Sequence, residues 1–250
     1  MPFADNKGIH IHYRVEGKGP PLVLQHGYGN ALESWYELGY VDALKDTYQL
    51  ILIDARGHGA SDKPHQTMAY TNECQAADVI AVLRDTGVRR ADYWGYSMGG
   101  RIGFAIAQYA PDWVHSLIIG GAAADGRSRV GDGIRAAIRR GGLDGLMALF
   151  PDASPTYKAR LLASDIKALD ACRTDSLGFA DILPSMTMPC LMYAGSADAI
   201  FPLVEETVAE MPNVTFFNLP GLKHSETNIR IEMVLPHVIE FLTRVDRGTV

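Results

Sequence analysis

Cysteine is scarce and odd in number, present only as Cys74, Cys172 and Cys190. Three cysteines without metal-ligand spacing argue against a disulfide framework or a zinc site and point to a reducing compartment. Long apolar runs are missing as well: no stretch reaches the ~18 uninterrupted apolar residues of a membrane span. The opening residues, Met1 to Gly8, hold neither an apolar core nor a small-residue cleavage site, so no secretory leader is expected there. Basic charge is not in excess, because 23 Lys and Arg stand against 29 Asp and Glu for a net charge of −6. Such a balance gives no electrostatic reason to bind nucleic acid. These absences lead to the expectation of a cytoplasmic protein with no nucleic-acid partner and no membrane contact; they leave the oligomeric state open. One stretch is locally basic, with Arg127, Arg129, Arg135, Arg139 and Arg140. It reads as a solvated helix face, with an anionic substrate as the alternative.

What the chain does have is core-forming capacity. Its 250 residues are 47% hydrophobic, enough for one domain with a full core, residues 1–250. A hairpin comes first, with Ile9 to Glu16 following a turn at Asn6-Lys7-Gly8. Short apolar runs without alternation follow at Pro21–Gln25, Tyr48–Ile53, Ala91–Gly95, Val114–Gly120, Pro189–Ala194 and Asn213–Leu219. Runs of this kind suit strands buried on both faces, as in a parallel sheet covered by helices. Helical patterns lie between them at Leu32–Lys45, Thr71–Thr86, Met98–Tyr109, Glu205–Met211 and Glu226–Val245. Strand alternating with helix predicts a doubly wound α/β fold. The alternation fails between about residues 122 and 184. Short helices are expected there, at Val130–Arg140, Leu143–Phe150, Pro155–Leu169 and Ala171–Leu183, punctuated by Gly141-Gly142, Pro151 and Pro155. An insertion at this point covers the carboxyl ends of the strands, where ligands bind in such sheets, so a small helical cap is predicted.

The strongest chemical signal is Gly95-Tyr96-Ser97-Met98-Gly99-Gly100, set between a predicted strand and a predicted helix. A nucleophile on so sharp a turn takes a strained backbone conformation, and small neighbours leave it room. Ser97 then stands at a helix start, where unpaired N–H groups favour developing negative charge. A second signal, Gln25-His26-Gly27-Tyr28-Gly29-Asn30, follows the strand Pro21 to Leu24. Acyl transfer needs two donors aimed at an oxyanion; the amides of Met98 and Tyr28 are the candidates. Eight histidines compete to be the base. His10 and His12 are read as exposed on the hairpin, His65 as a loop residue, and His115 as the beginning of a strand. His237 is read as a packing or surface residue of the last helix, and His26 and His58 as organisers of glycine-rich turns. His224 lies in the loop after the last strand, just before the final helix, and can reach Ser97. Asp198, in the turn Gly195-Ser196-Ala197-Asp198, is the candidate acid, with Asp125 as its rival. Asp54 is read as organising its turn through Arg56 and Ser61.

The chain order Ser97, Asp198, His224, together with His26 to Gly29 and Asp54 to Ser61, resembles the α/β-hydrolase family. The resemblance lies in its branch of small capped esterases, lactonases and carbon–carbon bond hydrolases, and covers nearly the whole chain. It implies a mostly parallel eight-stranded sheet with helices on both faces. It also implies nucleophile Ser97, acid Asp198, base His224, oxyanion donors Tyr28 and Met98, and no metal or organic cofactor. A serine at position 97, where relatives with dehalogenase or epoxide-opening chemistry carry aspartate, argues against both activities. The cap is shorter than in many relatives. The expected reaction is hydrolysis of a carboxylic ester of a small molecule, with Trp35, Tyr96, Phe150, Phe179, Ile200 and Phe201 as candidate pocket residues. Alternatives on the same triad are a lactonase, a thioesterase or a carbon–carbon bond hydrolase; from another class, a ligand receptor or a cofactor-free oxygenase.

Overall fold

The computed structural model describes residues 2–125, 130–151, 153–172 and 178–249. Arg127, Arg129 and the middle of the expected helix Ala171–Leu183 lie outside them. Eight strands form one sheet: β1 (Phe3–Asn6), β2 (Ile9–Glu16), β3 (Pro21–Gln25), β4 (Gln49–Ile53), β5 (Ala91–Tyr96), β6 (Val114–Gly120), β7 (Cys190–Gly195) and β8 (Val214–Leu219). Their spatial order is β1-β2-β4-β3-β5-β6-β7-β8. The β1–β2 and β2–β4 pairs are antiparallel, and every pair from β4 to β8 is parallel. This is the expected α/β-hydrolase architecture.

The unbroken apolar runs go to the inner strands because both sides of the sheet are covered. Within β4, Ile51 and Ile53 join one core cluster while Leu50 and Leu52 join the other, as the two-residue period of a strand requires. The first cluster is closed by α3 (Asn72–Asp85), α4 (Met98–Tyr109) and α8 (Phe201–Glu210). The second is closed by α1 (Glu33–Glu37), α2 (Tyr40–Leu44) and the C-terminal α10 (Ile231–Asp246).

Several expected helices are broken. Leu32–Lys45 divides into α1 and α2 because Gly39 takes φ +82°, a left-handed conformation that interrupts the run. Glu226–Val245 divides into α9 (His224–Ile229) and α10 at the non-helical Arg230. His224 is thus the first residue of a helix rather than a loop residue before one. Pro202 in the first turn of α8 starts that helix four residues earlier than expected. Between β6 and β7 lie α5 (Val130–Met147), α6 (Pro155–Leu162), α7 (Ile166–Ala171) and a 3-10 turn at Ala180–Ser185. Helix α5 is interrupted at Gly141 and Gly142, as the glycine pair predicts. Asp165, accepting from the Lys167 and Ala168 amides, starts α7 anew and splits the expected Pro155–Leu169 helix. Ile134, Leu146, Leu161 and Leu169 of these helices form a third apolar cluster around Tyr28. The inserted helices therefore sit on the loop that follows β3.

Candidate active site

Ser97 stands between β5 and α4 at φ 54° and ψ −111°, a region that costs a residue with a Cβ roughly 1–3 kcal/mol. The glycines around it are set by contact. A Cβ on Gly95 would lie 2.2 Å from the Gly99 carbonyl oxygen, and one on Gly99 would lie 2.2 Å from that of Gln25. Both obstacles are backbone, so neither position tolerates a side chain without moving the turn. The Ser97 N–H donates to the Gly120 carbonyl at 2.8 Å and pins the turn to β6.

At the neighbouring strand ends, the structure brings the other two predicted residues to Ser97. His224 Nε2 lies 2.9 Å from Ser97 Oγ, and His224 Nδ1 lies 2.6 Å from Asp198 Oδ2. The second oxygen of Asp198 accepts the Ile200 amide at 3.1 Å, which fixes the carboxylate plane. The Asp198 side chain is 3% exposed and that of His224 41%, so the acid is enclosed while the imidazole can be reached. Asp198, rather than Asp125, is the carboxylate against the His224 ring. The Arg101 guanidinium donates to the backbone carbonyl of Asp125.

The loop after β3 runs beside the serine. A Cβ on Gly27 would lie 3.4 Å from the Ser97 Cβ. The Asn30 N–H donates to the Gly27 carbonyl at 3.2 Å, and Gly29 takes φ +69° in third position, the geometry of a type II turn. His26 organises it: Nε2 accepts the Ala55 amide at 3.1 Å, so the proton sits on Nδ1 and is donated to the Gly27 carbonyl at 2.8 Å. Burial holds the His26 pKa below its ordinary value, against the opposing pull of Asp54. The Met98 N–H, first in α4, has no acceptor within its helix.

Asp54 organises its turn, but not through Arg56. Its carboxylate accepts the Leu32 and Ala60 amides and meets His12 Nδ1 at 2.7 Å, while the Ser61 hydroxyl donates to its carbonyl. Burial opposes ionisation here, yet these hydrogen bonds and the His26 imidazole keep the carboxyl below the usual range. Arg56 pairs instead with the buried Asp78 of α3. His12, expected on an exposed hairpin face, is 1% exposed because the Asp54–Ser61 turn covers it. Nothing local to β2 signals that cover.

The expected pocket residues divide. Trp35, Tyr96 and Phe179 are core and do not line an open site. Trp35 packs edge-on against Tyr40 and Trp94, and Phe179 stacks on Phe104 with the Arg101 guanidinium 5.2 Å from the centre of its ring. Tyr96 lies 5.3 Å from the His224 ring, and its hydroxyl donates to the His224 carbonyl, so it supports the imidazole from below. Phe150 is partly exposed beside Tyr157 in the cluster that reaches Tyr28 and Met98. Ile200 and Phe201 are partly exposed after Asp198, Phe201 against Phe216. On α5, Ile134 and Ile138 join that cluster, whereas Arg135, Arg139 and Arg140 line an open groove of about 460 Å³ with Asp132 and Ala136. Among the described residues no group of His, Cys, Asp or Glu is arranged to hold a metal ion, and no helix is long and apolar enough to cross a membrane.

Comparison with known proteins bears on the fold and the family. The model of the alpha/beta hydrolase fold family matches residues 20–145. A Bacillus subtilis (strain 168) protein provisionally named 2-succinyl-6-hydroxy-2,4-cyclohexadiene-1-carboxylate synthase is 24% identical over 266 residues, covering 94% of this chain and 96% of its own. A Synechocystis protein provisionally named a non-heme chloroperoxidase is 26% identical over 280 residues, covering 97% of this chain and all of its own. The solved enol-lactonase of Burkholderia xenovorans LB400 superposes with a TM-score of 0.87 at 24% identity, over 97% of this chain and 100% of that one. The matched segment opens at β3, passes through the Ser97 turn and runs on beyond β6, and on that match the chain belongs to the α/β-hydrolase fold family.

Proposed function

We propose that the chain is a serine hydrolase that cleaves carboxylic esters through an acyl-enzyme on Ser97. The observation that supports this most is the continuous chain from Ser97 Oγ through the His224 imidazole to Asp198, at 2.9 and 2.6 Å. In this reading Asp198 accepts the Nδ1 proton of His224 in a hydrogen bond and leaves Nε2 as the base. Nε2 takes the hydroxyl proton as Ser97 Oγ attacks the ester carbonyl. The tetrahedral oxyanion rests on the Tyr28 and Met98 amides, each worth very roughly 3 kcal/mol. His224 returns the proton to the leaving alkoxide, an alcohol departs, and the acyl group stays on Ser97. Water, deprotonated by the same imidazole, then releases the carboxylate and restores the serine.

The chain acts as one domain, with residues 122–184 as a cap that shapes the acyl pocket. Phe150, Ile200 and Phe201 are its proposed apolar contacts, and the substrate is a small ester. The cytoplasm is the expected compartment, consistent with three free thiols. Turnover of p-nitrophenyl esters of graded chain length, with a thioester and a lactone beside them, tests the proposal. Ester hydrolysis is expected to lead, and a folded protein inert toward the whole panel would overturn it.

A further inference from the structure

The proposed oxyanion donor on Tyr28 is gripped by the inserted helices rather than by the sheet alone. The Tyr157 hydroxyl of α6 donates to the Tyr28 carbonyl at 3.2 Å, and the Tyr28 hydroxyl donates to the Leu169 carbonyl of α7 at 3.1 Å. A Cβ on Gly29 would lie 2.8 Å from the Tyr157 hydroxyl and 3.0 Å from Leu161, so α6 lies directly against the turn. One residue further, the Arg160 guanidinium bonds Asn30 and also Glu37 of α1. Tyr157 is itself held: its N–H donates to the α6 N-cap Ser154, and its ring packs edge-on against Phe150 at 5.6 Å.

In a type II turn the central peptide differs from that of a type I turn by a flip, and here that peptide begins at the Tyr28 carbonyl. The preceding peptide carries the Tyr28 N–H, and its carbonyl is fixed by His26 and Asn30. A flip of the central peptide would leave its neighbour in place, but the two peptides share the Tyr28 Cα, and a hydrogen bond on the Tyr28 carbonyl fixes that end of the peptide bearing the N–H. We propose that Tyr157 is a positioning residue for turnover: its phenol holds the Tyr28 carbonyl and thereby keeps the Tyr28 N–H aimed at the oxyanion. This rests on the ester-hydrolase reading of the same site. It gives the inserted helices a part in the rate of the chemical step, beyond the selection of substrate. Arg160 holds α6 to the body of the protein without touching the Tyr28 peptide.

The test is Tyr157→Phe, which keeps the ring packing against Phe150 and removes only the hydroxyl. Arg160→Gln serves as the comparison. Removal of a whole oxyanion donor costs on the order of a hundredfold or more, so a misaimed one is expected to cost about tenfold in kcat. For p-nitrophenyl acetate, too short to reach far into the pocket, KM should stay within about twofold. The inhibition constant of a small trifluoromethyl ketone, which forms a tetrahedral adduct on Ser97, should weaken by about the same factor as kcat/KM falls. Arg160→Gln should leave kcat nearly unchanged. Unchanged kcat and ketone affinity in folded Tyr157→Phe would overturn the proposal, as would a change confined to KM or an equal loss of kcat in Arg160→Gln. If wild-type protein turns over no ester, the ester-hydrolase reading has failed. An active wild type with an unaltered Tyr157→Phe refutes the positioning role alone.

Discussion

Replacing Ser97 with alanine and, separately, with glycine separates the strain of the serine turn from its chemistry. Both variants lose the hydroxyl and its bond to His224, so neither should hydrolyse esters. They differ in the backbone. At φ 54° and ψ −111°, alanine keeps the clash that any Cβ suffers, worth roughly 1–3 kcal/mol. For glycine the same angles mirror an ordinary extended conformation and carry no such clash. Against this, glycine gives the unfolded chain more freedom, which destabilises by about 0.4–1 kcal/mol. At mid-range the difference leaves Ser97→Gly more stable than Ser97→Ala by roughly 1.3 kcal/mol. For a chain of this size that is a rise in Tm of about 3–5 °C, readable by calorimetry or by circular dichroism. A Ser97→Gly protein that melts below Ser97→Ala would show that the turn stores no strain.

The other expectations follow from single contacts. Asp198→Asn should lower kcat by about 10⁴-fold through the wrong imidazole tautomer, and Asp125→Asn should leave it near wild type; the reverse order would move the acid to Asp125. Phe150→Ala should shift the preferred acyl chain length, each methylene being worth ~1–3 kcal/mol in discrimination. Phe179→Ala, buried against Phe104, should instead cost about 3–5 kcal/mol of stability with the profile unchanged. Exchange of these two outcomes, read by ester profiling and thermal melts, would refute the assignment of Phe179 to the core. His26, with its pKa lowered by burial, gives a pH prediction. The unfolded chain takes up a proton near the ordinary value of about 6.5 that the folded state refuses. Its stabilisation is therefore full above that pH and is lost as pH falls toward the lower folded value. Melting temperature should drop between about pH 8 and about pH 5.5, and less so in His26→Asn, which has no titrating ring. Identical slopes in the two proteins would contradict it.

Much of the fold was legible because it follows from local pattern. Unbroken apolar runs marked the inner strands of a covered sheet, and Gly95, Ser97 and Gly99 marked a turn with no room for side chains. Asp198 and His224 were readable from chain order, since each follows a strand that ends at the same edge of the sheet. What stayed hidden depends on distant cover. His12 alternates as an outward residue of β2, and only the later Asp54–Ser61 turn encloses it. Arg56 stands two residues from Asp54, yet its carboxylate partner comes from α3. Trp35, Tyr96 and Phe179 look like pocket residues by composition, but aromatic side chains serve equally as core. Their burial is decided by which helices pack above them. The contact of Tyr157 with the turn after β3 joins residues 129 positions apart and has no sequence signature.

The central claim is that Ser97 is a nucleophile activated by His224. Its most direct test is reaction of the wild-type protein with a small fluorophosphonate, followed by mass mapping of the adduct. The account predicts one phosphonyl group per chain, on the peptide bearing Ser97, and its absence from Ser97→Ala and from wild type unfolded beforehand. An unlabelled folded protein, or an adduct that persists in folded Ser97→Ala, would contradict it.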